Sequence, residues 1–391
     1  MAADVRVPGT ILSSLTPFRI MVFSLLTVLM VLFLSVNSSR GKASLETLTM
    51  GSHVHQRSQS QEYSNCDEDS ASVGKAAHGT ELEIQLFPRE DGQQGEDQLP
   101  CDVIKNVKTL LLFVGYPRSC HSLVGSILDA HPHMVVAHEY NLLGKWQKWS
   151  KSQQTRRLVF NKLYQTSYHQ RQTLRTVKHI QDRYSYGIPH QWQGRYKDSI
   201  TVIGDKRGGL TSRLLTADGP GQVMGSSYDD LITHVQKSLN VRVKFIHVVR
   251  NPMDNIATMG LRKTKLRNSD NQVEMLDNST IIHNTARRYF ARLVAGVEMV
   301  KAMDYPMLDI HCEDLIRSPS EQMKRMCAFL GVDCPQDYMQ DSASIIHSKP
   351  SVTRNLVNWA DSTKELMIRE MKKHSFLEKY VPDVQATLRA K

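Results

Sequence analysis

Residues 109–131 read TLLLFVGYPRSCHSLVGSILDAH, and this stretch decides the fold. Thr109–Gly115 is a short apolar run rich in β-forming residues, which is typical of a strand buried on both faces. A tight polar loop, Tyr116–His121, follows it, and Ser122–Ala130 has the pattern of a helix. A strand, a loop and a helix in this order direct several backbone N–H groups and a helix N-terminus at one spot. The stretch therefore predicts an anion-binding loop.

This loop differs from the nucleotide-binding loop GxxxxGK[ST] at two positions. Gly115 and Ser122 match its first and last positions, but Cys120 replaces the second glycine and His121 replaces the lysine. An ATPase or GTPase without that lysine lacks its contact to the outer phosphates. The chain instead carries a cation within the loop, at Arg118. The pattern therefore favours an anion-binding loop of another kind.

Further strands and helices are predicted after this unit. Helical patterns cover Ser226–Ser238 and Ile281–Met303, and the predicted strands are Met134–His138, Ile200–Gly204, Val243–Val249 and Met307–His311. Strands that alternate with helices imply a parallel sheet with right-handed crossovers. We therefore expect an α/β fold in which helices flank a central parallel sheet that carries a phosphate-binding loop.

The N-terminal part of the chain predicts one transmembrane helix before this domain. Ile20–Val36 is uncharged and apolar, and 17 residues of helix span about 26 Å, enough for a thin bilayer. We expect a cytoplasmic tail (residues 1–19), a signal-anchor (20–36), a disordered stem (37–100) and a folded domain (101–391). A cleaved signal peptide is the alternative, although the run is long for one and no clear cleavage site follows.

The net charge and the cysteines indicate which classes of partner and which kinds of site the chain could have. The net charge is +10 and the pI about 9.2, which favours anionic partners such as nucleotides, acidic glycans or anionic lipids. The six cysteines form no CxxC motif and no Cys/His cluster with zinc spacing, so no metal site is predicted. Cys327 and Cys334 flank a predicted helix end and are the pair most suited to bond in an oxidising compartment.

The loop Tyr116–Ser122 (YPRSCHS) resembles the 5′-phosphosulfate loop of the P-loop sulfotransferase superfamily, written [YF]-P-[KR]-S-G-[TS]-[TS]. The following Leu128–Pro132 (LDAHP) resembles its membrane-bound branches, notably the protein-tyrosine and carbohydrate sulfotransferases. Cys120 departs from the family glycine, and a cysteine is strained there if the loop requires a positive φ. The resemblance implies that the co-substrate 3′-phosphoadenosine 5′-phosphosulfate is bound by Arg118, Ser119, Cys120, His121 and Ser122.

Two later segments resemble the rest of the donor site. A predicted strand ends at Arg250, beside a helix N-terminus with Asn251 as its cap and Pro252 as its first residue. Arg250 and Thr258 match the family's 3′-phosphate motif, an Arg at a strand end and a Ser or Thr eight residues later. Residues 348–359 resemble the late segment that closes over the donor, with Ser348 and Arg354 as its candidate phosphate contacts.

Three residues are predicted to act in the reaction. Glu139 follows the second strand at the carboxyl edge of the sheet and matches the catalytic Glu of the tyrosine-sulfating branch, so it is our candidate general base. His138 is the alternative base, because a histidine titrates near neutral pH. Arg118 and Lys206 would offset the charge that develops on the leaving phosphate, and the reaction then requires no metal.

The resemblance implies transfer of a sulfuryl group to a hydroxyl of a glycan or protein. The expected location is the Golgi membrane, single-pass type II with a lumenal catalytic domain, which the sequons at Asn37 and Asn278 fit. Expected partners are an acceptor glycan or a secreted or membrane protein, and the membrane itself through the anchor. We expect no nucleic-acid partner, and a homodimer is compatible with the sequence.

Two other functions remain open at this point. A kinase-like nucleotide-binding protein would use the same loop, although the missing loop lysine argues against it. A non-catalytic protein on the same fold is favoured by Cys120 and opposed by Arg118, Glu139 and Lys206. The aromatic and basic segment 183–197 is compatible with an acceptor cleft or with a packed loop.

Overall fold

The computed structural model describes residues 98–172, 186–214, 228–264 and 275–389. All of them belong to one compact unit, Cys66–Lys391. The predicted anchor Ile20–Val36 and the predicted stem up to residue 97 lie outside the described residues. Among the helices that are described, none is long and apolar enough to cross a membrane.

The core of the fold is a parallel five-stranded sheet with the strand order β2-β3-β1-β4-β5. Its strands are β1 (Thr109–Gly115), β2 (Met134–His138), β3 (Val202–Lys206), β4 (Arg242–Val249) and β5 (Met307–His311). The predicted α/β architecture with a parallel sheet is therefore confirmed.

Helices precede, connect and follow the strands. In chain order they are α1 (Cys101–Asn106), α2 (His121–Asp129), α3 (Leu142–Trp146), α4 (Arg156–Gln172), α5 (Gly208–Leu214), α6 (Tyr228–Leu239), α7 (Pro252–Thr264), α8 (Ser279–Arg288), α9 (Ala295–Ala302), α10 (Cys312–Arg317), α11 (Pro319–Leu330), α12 (Gln336–Ser344), α13 (Asp361–Met371), α14 (Ser375–Glu378) and α15 (Val381–Arg389). Short 3₁₀ turns occur at Lys151–Gln153 and Thr353–Leu356, and a π-helix, Tyr289–Val294, joins α8 to α9.

The strand β1 is apolar throughout because it is covered on both faces. Its side chains alternate between two clusters of buried residues: Leu110, Leu112 and Val114 pack on one face, and Leu111 and Phe113 pack on the other. Strands β3 and β4 pair with its two edges, so every residue of β1 is buried. This central position places the loop that follows β1 in the middle of the sheet's carboxyl edge.

Several predicted boundaries differ from the structure. Strand β3 begins and ends two residues later than predicted, because its pairing with β2 runs from Val202 to Lys206. Asp205 and Lys206 therefore lie inside a buried strand rather than in the loop after it. Helix α2 begins one residue early, at His121. The long predicted helix 281–303 is divided by the π-helix between α8 and α9.

The predicted pair Cys327–Cys334 forms a disulfide, with its Cα atoms 5.7 Å apart. Cys327 lies in the last turn of α11, and Cys334 follows the turn at Gly331, where φ is +76°. This disulfide closes a short loop at the end of the helix.

Asp129 at the end of α2 connects several parts of the fold. Its buried carboxylate accepts hydrogen bonds from the N–H of Val136 (2.6 Å), the hydroxyl of Ser167 (2.6 Å) and the N–H of Gly194 (2.9 Å). These donors belong to β2, to α4 and to the segment that precedes β3.

We predict that Asp129→Ala lowers the free energy of unfolding by about 3 kcal/mol, because it removes a buried carboxylate that accepts from three buried donors. Urea denaturation would measure this loss. The control Asp337→Ala removes an exposed carboxylate at the start of α12 and should change stability by less than about 0.5 kcal/mol. A loss below about 1 kcal/mol for Asp129→Ala would contradict the role given to this carboxylate.

Candidate active site

The loop between β1 and α2 adopts a conformation that most residues disfavour. Gly115 has a φ of +131°, and a Cβ atom there would lie 3.0 Å from both His121 Nε2 and the Val248 carbonyl oxygen. Only glycine fits this position. Arg118 and Cys120 are in the left-handed region, with φ values of +71° and +66°. The turn must therefore be held by contacts around it.

Those contacts are hydrogen bonds from side chains to five consecutive carbonyl groups, residues 114–118. The donors, in that order, are His121 Nε2 (3.1 Å), Ser212 Oγ (3.0 Å), Ser119 Oγ (2.7 Å), Asn255 Nδ2 (2.5 Å) and Arg250 Nη1 (3.0 Å). The C=O and N–H groups of a trans peptide point in opposite directions, so the N–H groups of Tyr116, Arg118 and Ser119 point away from the side chains that hold the preceding carbonyls. The other two positions contribute no such group, because the Gly115 N–H donates to Ser212 Oγ at 2.8 Å and Pro117 has no N–H. The first amides of α2 have no partner within the helix. The turn therefore presents N–H groups to an anion.

The side chains of Ser119 and His121 belong to this turn itself. His121 Nε2 faces the Val114 carbonyl, which can only accept, so Nε2 carries the proton. The unprotonated Nδ1 lies 3.0 Å from Ser119 Oγ, whose single proton it shares with the Tyr116 carbonyl at 2.7 Å. Burial lowers the pKa of His121 to about 4, so the ring is neutral. The structure turns this ring into the protein, and the backbone amide of His121 remains the group available to a ligand.

Cys120 forms a disulfide with Cys312, which the sequence did not predict. Cys312 is the first residue of α10 and directly follows β5, and the two Cα atoms are 5.9 Å apart. The disulfide thus ties the left-handed residue of the loop to the neighbouring part of the sheet edge. The strain expected for a non-glycine residue at position 120 is present, and the disulfide holds the residue in place.

Lys206 lies beside the first turn of α2, and its ammonium group is directed at three acceptors. Its Nζ is 2.6 Å from Glu139 Oε1, 3.2 Å from His138 Nε2 and 3.3 Å from Ser122 Oγ. The side chain is almost fully buried because its stem passes over Gly125, where a Cβ atom would lie 2.7 Å from Lys206 Cγ. An ammonium group has three protons, so His138 Nε2 accepts one of them.

The carboxylate of Glu139 pairs with Arg207 as well as with Lys206. Its Oε2 lies 2.6 Å from Arg207 Nη1, and its φ of +63° turns the residue out of β2. Partial burial raises the pKa of Glu139, but Lys206 and Arg207 outweigh burial and hold this pKa below its ordinary value. The carboxylate is therefore ionised at neutral pH. The Nε2 lone pair of His138 is directed at Lys206, and both carboxylate oxygens of Glu139 also face cations.

A hydrogen-bonded network of buried polar side chains contacts the loop at its first residue, Tyr116. The Tyr116 hydroxyl lies 3.0 Å from His247 Nε2, and His247 Nδ1 lies 2.8 Å from Asp309 Oδ1. Lys301 pairs with the other oxygen of Asp309 at 3.1 Å. Burial raises the pKa of Asp309, but the hydrogen bond from His247 and the charge of Lys301 outweigh it and lower the pKa to about 2. The sequence motifs predicted none of this network, although the histidine within the apolar strand β4 indicates a buried polar contact.

Arg250 connects the loop to the C-terminal part of the chain. Its Nη1 donates to the Arg118 carbonyl at 3.0 Å, and its Nη2 donates to the Ser351 carbonyl at 2.7 Å. Burial of this guanidinium lowers its pKa. Arg250 directly follows β4, and the predicted cap of α7 is confirmed, because Asn251 Oδ1 accepts from the N–H of Met253 at 3.0 Å.

Thr258 and Arg354 both lie near the first turns of α7. The hydroxyls of Thr258 and Thr353 are 2.9 Å apart, and Arg354 Nη1 pairs with Asp254 Oδ2 at 3.1 Å. Thr353 was not among the predicted contacts, although it precedes Arg354 directly. Ser348 is exposed, and no contact joins it to this group within the described part of the chain.

The described part of segment 183–197 packs mainly against α2. Trp192 N–H donates to the Ala130 carbonyl at 3.1 Å, and Gln193 Nε2 donates to the Ser126 carbonyl at 3.2 Å. This favours the packed-loop interpretation for residues 191–194, while residues 183–185 lie outside the described part. Tyr186 is close enough to Arg118 for the two side chains to interact electrostatically: burial raises the pKa of Tyr186, and Arg118 opposes that increase.

Among the described residues, no group of three His, Cys, Asp or Glu side chains could hold a metal ion.

Residues 242–336 match the sulfotransferase family. This match confirms the predicted resemblance to the P-loop sulfotransferase superfamily. It includes Arg250 and Thr258 and covers less than half of the chain, and the loop after β1 lies outside it. A search of curated proteins found no match.

Three solved sulfotransferase structures are similar to this chain. A sulfotransferase from Mycobacterium avium is 9% identical, covers 69% of this chain and 77% of its own, and has a TM-score of 0.37. The sulfotransferase domain of the Synechococcus olefin synthase is 14% identical, with coverages of 77% and 99% and a TM-score of 0.34. A mouse sulfotransferase complexed with PAP is 12% identical, with coverages of 75% and 94% and a TM-score of 0.34. At these TM-scores the three structures carry no weight for function.

The disulfide leads to a prediction about backbone strain. With both cysteines removed, Cys120→Gly/Cys312→Ser should be about 1 kcal/mol more stable than Cys120→Ser/Cys312→Ser, because only glycine adopts a φ of +66° without a steric cost. Urea denaturation of the two double variants would measure the difference. Cys312→Ser is common to both, so the comparison isolates position 120. Equal stabilities would show that the left-handed residue is not a source of strain.

Proposed function

We propose that this protein is a sulfotransferase that transfers a sulfuryl group from 3′-phosphoadenosine 5′-phosphosulfate to a hydroxyl group. The family match supports sulfotransferase activity. The observation that carries the proposal is the turn after β1, whose five carbonyls are all bonded to side chains, so that the N–H groups of Arg118 and Ser119 point away from those side chains. Arg118 lies at the exposed part of this turn, and Lys206 lies beside the helix that follows it.

The donor has two anionic ends, and two groups of residues fit them. The amides of the turn, Arg118 and Ser122 suit the 5′-phosphosulfate. Arg250, Thr258 and Arg354 surround the start of α7 and suit the 3′-phosphate, which distinguishes this donor from ATP. Arg250 also bonds to the Arg118 carbonyl, so the two groups are directly connected.

In the proposed reaction the acceptor oxygen attacks sulfur, and the bond between sulfur and the bridging phosphate oxygen breaks. The electron pair of that bond goes to the leaving phosphate, and the acceptor proton goes to Glu139. Lys206 would move from Glu139 to the leaving oxygen and offset its new charge. Because Lys206 holds the pKa of Glu139 down, its departure would make the carboxylate a stronger base at the moment when the proton is transferred.

A kinase-like function fits the structure less well. In a nucleotide-binding loop the position of His121 carries a lysine that reaches the outer phosphates. Here that side chain is a neutral imidazole that is buried in the turn. The loop therefore lacks the mobile cation on which phosphoryl transfer from ATP depends.

For the acceptor and the location we propose a glycan or protein hydroxyl in the secretory pathway. Two disulfides among the described residues support an oxidising compartment. The sequon residue Asn278 is exposed, and the apolar run Ile20–Val36 supports a type II Golgi membrane protein. The acceptor itself would bind beside Glu139, where the carboxylate is partly exposed.

The donor site predicts a specific pattern of binding to 3′-phosphoadenosine 5′-phosphate. The purified full chain should bind this compound more tightly than ATP, and Arg118→Ala or Arg250→Ala should weaken binding by roughly 10- to 100-fold, because each removes a charge-assisted contact. Titration calorimetry would measure the affinities. Arg317→Ala removes an exposed arginine of α10 and should bind like the wild type. Equal binding of ATP, or no effect of either substitution, would refute the proposal.

Gly125 provides a test of the role of Lys206 in the reaction. Gly125→Ala places a Cβ atom against the stem of Lys206 and should lower the sulfation rate at saturating donor by about tenfold or more, with little effect on donor affinity. A double-mutant cycle separates this effect from a general one: Gly125→Ala should cost little in a Lys206→Met background. If Gly125→Ala lowers the sulfation rate by the same factor in the Lys206→Met background, its effect does not pass through Lys206.

A further inference from the structure

A basic groove lies at the edge of the sheet where β1 and β4 begin, opposite the candidate active site. Its volume is about 1180 Å³, and its lining includes Thr109 and Arg242, the paired first residues of these two strands. Strand β1 has seven residues, so the groove is roughly 20 Å from the anion-binding turn. The groove is therefore a separate surface from the donor site.

Among the described residues, the lining of this groove carries positive charge and no negative charge. Six of its residues are cationic and none is Asp or Glu: Lys105, Lys108, Arg156, Lys237, Arg242 and Lys244. Cations collected in one concave surface repel each other and create a strong positive potential, which an anionic ligand would relieve.

Two of these cations have structural roles. Arg156 donates to the carbonyls of Ile104 and Val107 at the end of α1 and of Leu239 at the end of α6, so its charge stabilises two helix C-termini. Lys244 donates to the Phe329 carbonyl at 2.6 Å. These bonds keep the walls of the groove together.

The other four cations are available to a ligand. Lys105, Lys108, Lys237 and Arg242 are all exposed, and none forms an ion pair with another described residue. They come from the end of α1, the start of β1, the end of α6 and the start of β4. They are thus distributed along the groove and do not converge on one point, which suits a ligand with repeated negative charges rather than a single phosphate.

The shape and chemistry of the groove point to one kind of polyanion. In the part of the chain that the structure describes, no aromatic side chain lines the groove, and single-stranded nucleic acids are usually held by stacking on such side chains. The groove is concave, whereas a protein surface that binds a flat bilayer presents cations that protrude from it. The disulfides support an oxidising compartment, in which acidic glycans are abundant partners. We propose that this groove binds a linear acidic polysaccharide that carries carboxylate or sulfate groups along its length.

Bound there, the polysaccharide would leave the anion-binding turn open. The groove would hold the protein on an acidic glycan while the opposite edge of the sheet stays free for donor and acceptor. This inference rests on the groove alone and does not require the proposed function.

Heparin is a suitable probe because it is a linear polysaccharide with sulfate and carboxylate groups. The affinity of the purified full chain in detergent for immobilised heparin would be measured at several salt concentrations. We expect Lys105→Ser/Lys108→Ser/Lys237→Ser/Arg242→Ser to bind at least about tenfold more weakly and to show a smaller dependence on salt. The matched control Lys162→Ser/Arg292→Ser/Lys324→Ser/Lys372→Ser removes the same charge from exposed positions elsewhere and should bind like the wild type.

Several outcomes would overturn the inference. Equal losses in the groove variant and the control would mean that heparin responds to net charge alone. Competition by 3′-phosphoadenosine 5′-phosphate would place heparin in the donor site. Tighter groove-dependent binding of single-stranded DNA, or of vesicles containing phosphatidylserine, would replace the glycan by another partner. Thermal melting checks that the variants fold, and the pairs Lys105→Ser/Lys237→Ser and Lys108→Ser/Arg242→Ser serve if the quadruple variant does not.

Discussion

The loop after β1 depends on the hydrogen bonds that hold its carbonyl groups. Five consecutive carbonyls accept from five side chains, and those side chains come from the loop itself, from the first residue of α2, from α5, from the end of β4 and from α7. Without these donors, a turn with positive φ values at Arg118 and Cys120 would relax to a more common conformation. The sheet matters to the site chiefly because it brings these separate donors to one edge. The conformation of the turn is therefore a property of the assembled fold and not of seven consecutive residues.

The same principle applies to the reacting groups. Lys206 is buried within β3, and its position depends on the absence of a side chain at Gly125 in the facing helix. Its charge is balanced by Glu139, which is balanced in turn by Arg207. A buried lysine with a single carboxylate partner would be costly if that partner were lost. The arrangement is tolerable because the proposed donor would bring a new anion to the same place when Lys206 leaves Glu139.

Local patterns in the sequence predicted the parallel sheet, the loop after β1 and the cap of α7. Strand burial and helix capping can be predicted in this way because they depend on residues that are close together in the sequence. Contacts between distant residues were not predictable in this way. The disulfide between Cys120 and Cys312 joins residues 192 positions apart, and only the order of the strands brings them together. The His121 ring could not be assigned to the turn interior, since its partners are a serine and a carbonyl that any sequence offers. The pairing of β3 with β2 likewise extended β3 to Lys206 beyond its apolar run.

The distribution of charge shows what the fold adds to composition. The sequence is basic, but its cations are not gathered in one run, so composition alone gives no binding surface. At the carboxyl edge of the sheet several cations are matched: Lys206 and Arg207 by Glu139, and Arg354 by Asp254. At the opposite edge Lys105, Lys108, Lys237 and Arg242 are exposed and have no carboxylate among the residues that line their groove. The fold therefore places partly compensated charge where a single donor would be recognised and uncompensated charge where an extended polyanion would be held. Two edges of one parallel sheet can in this way serve two anions of different size without competition between them.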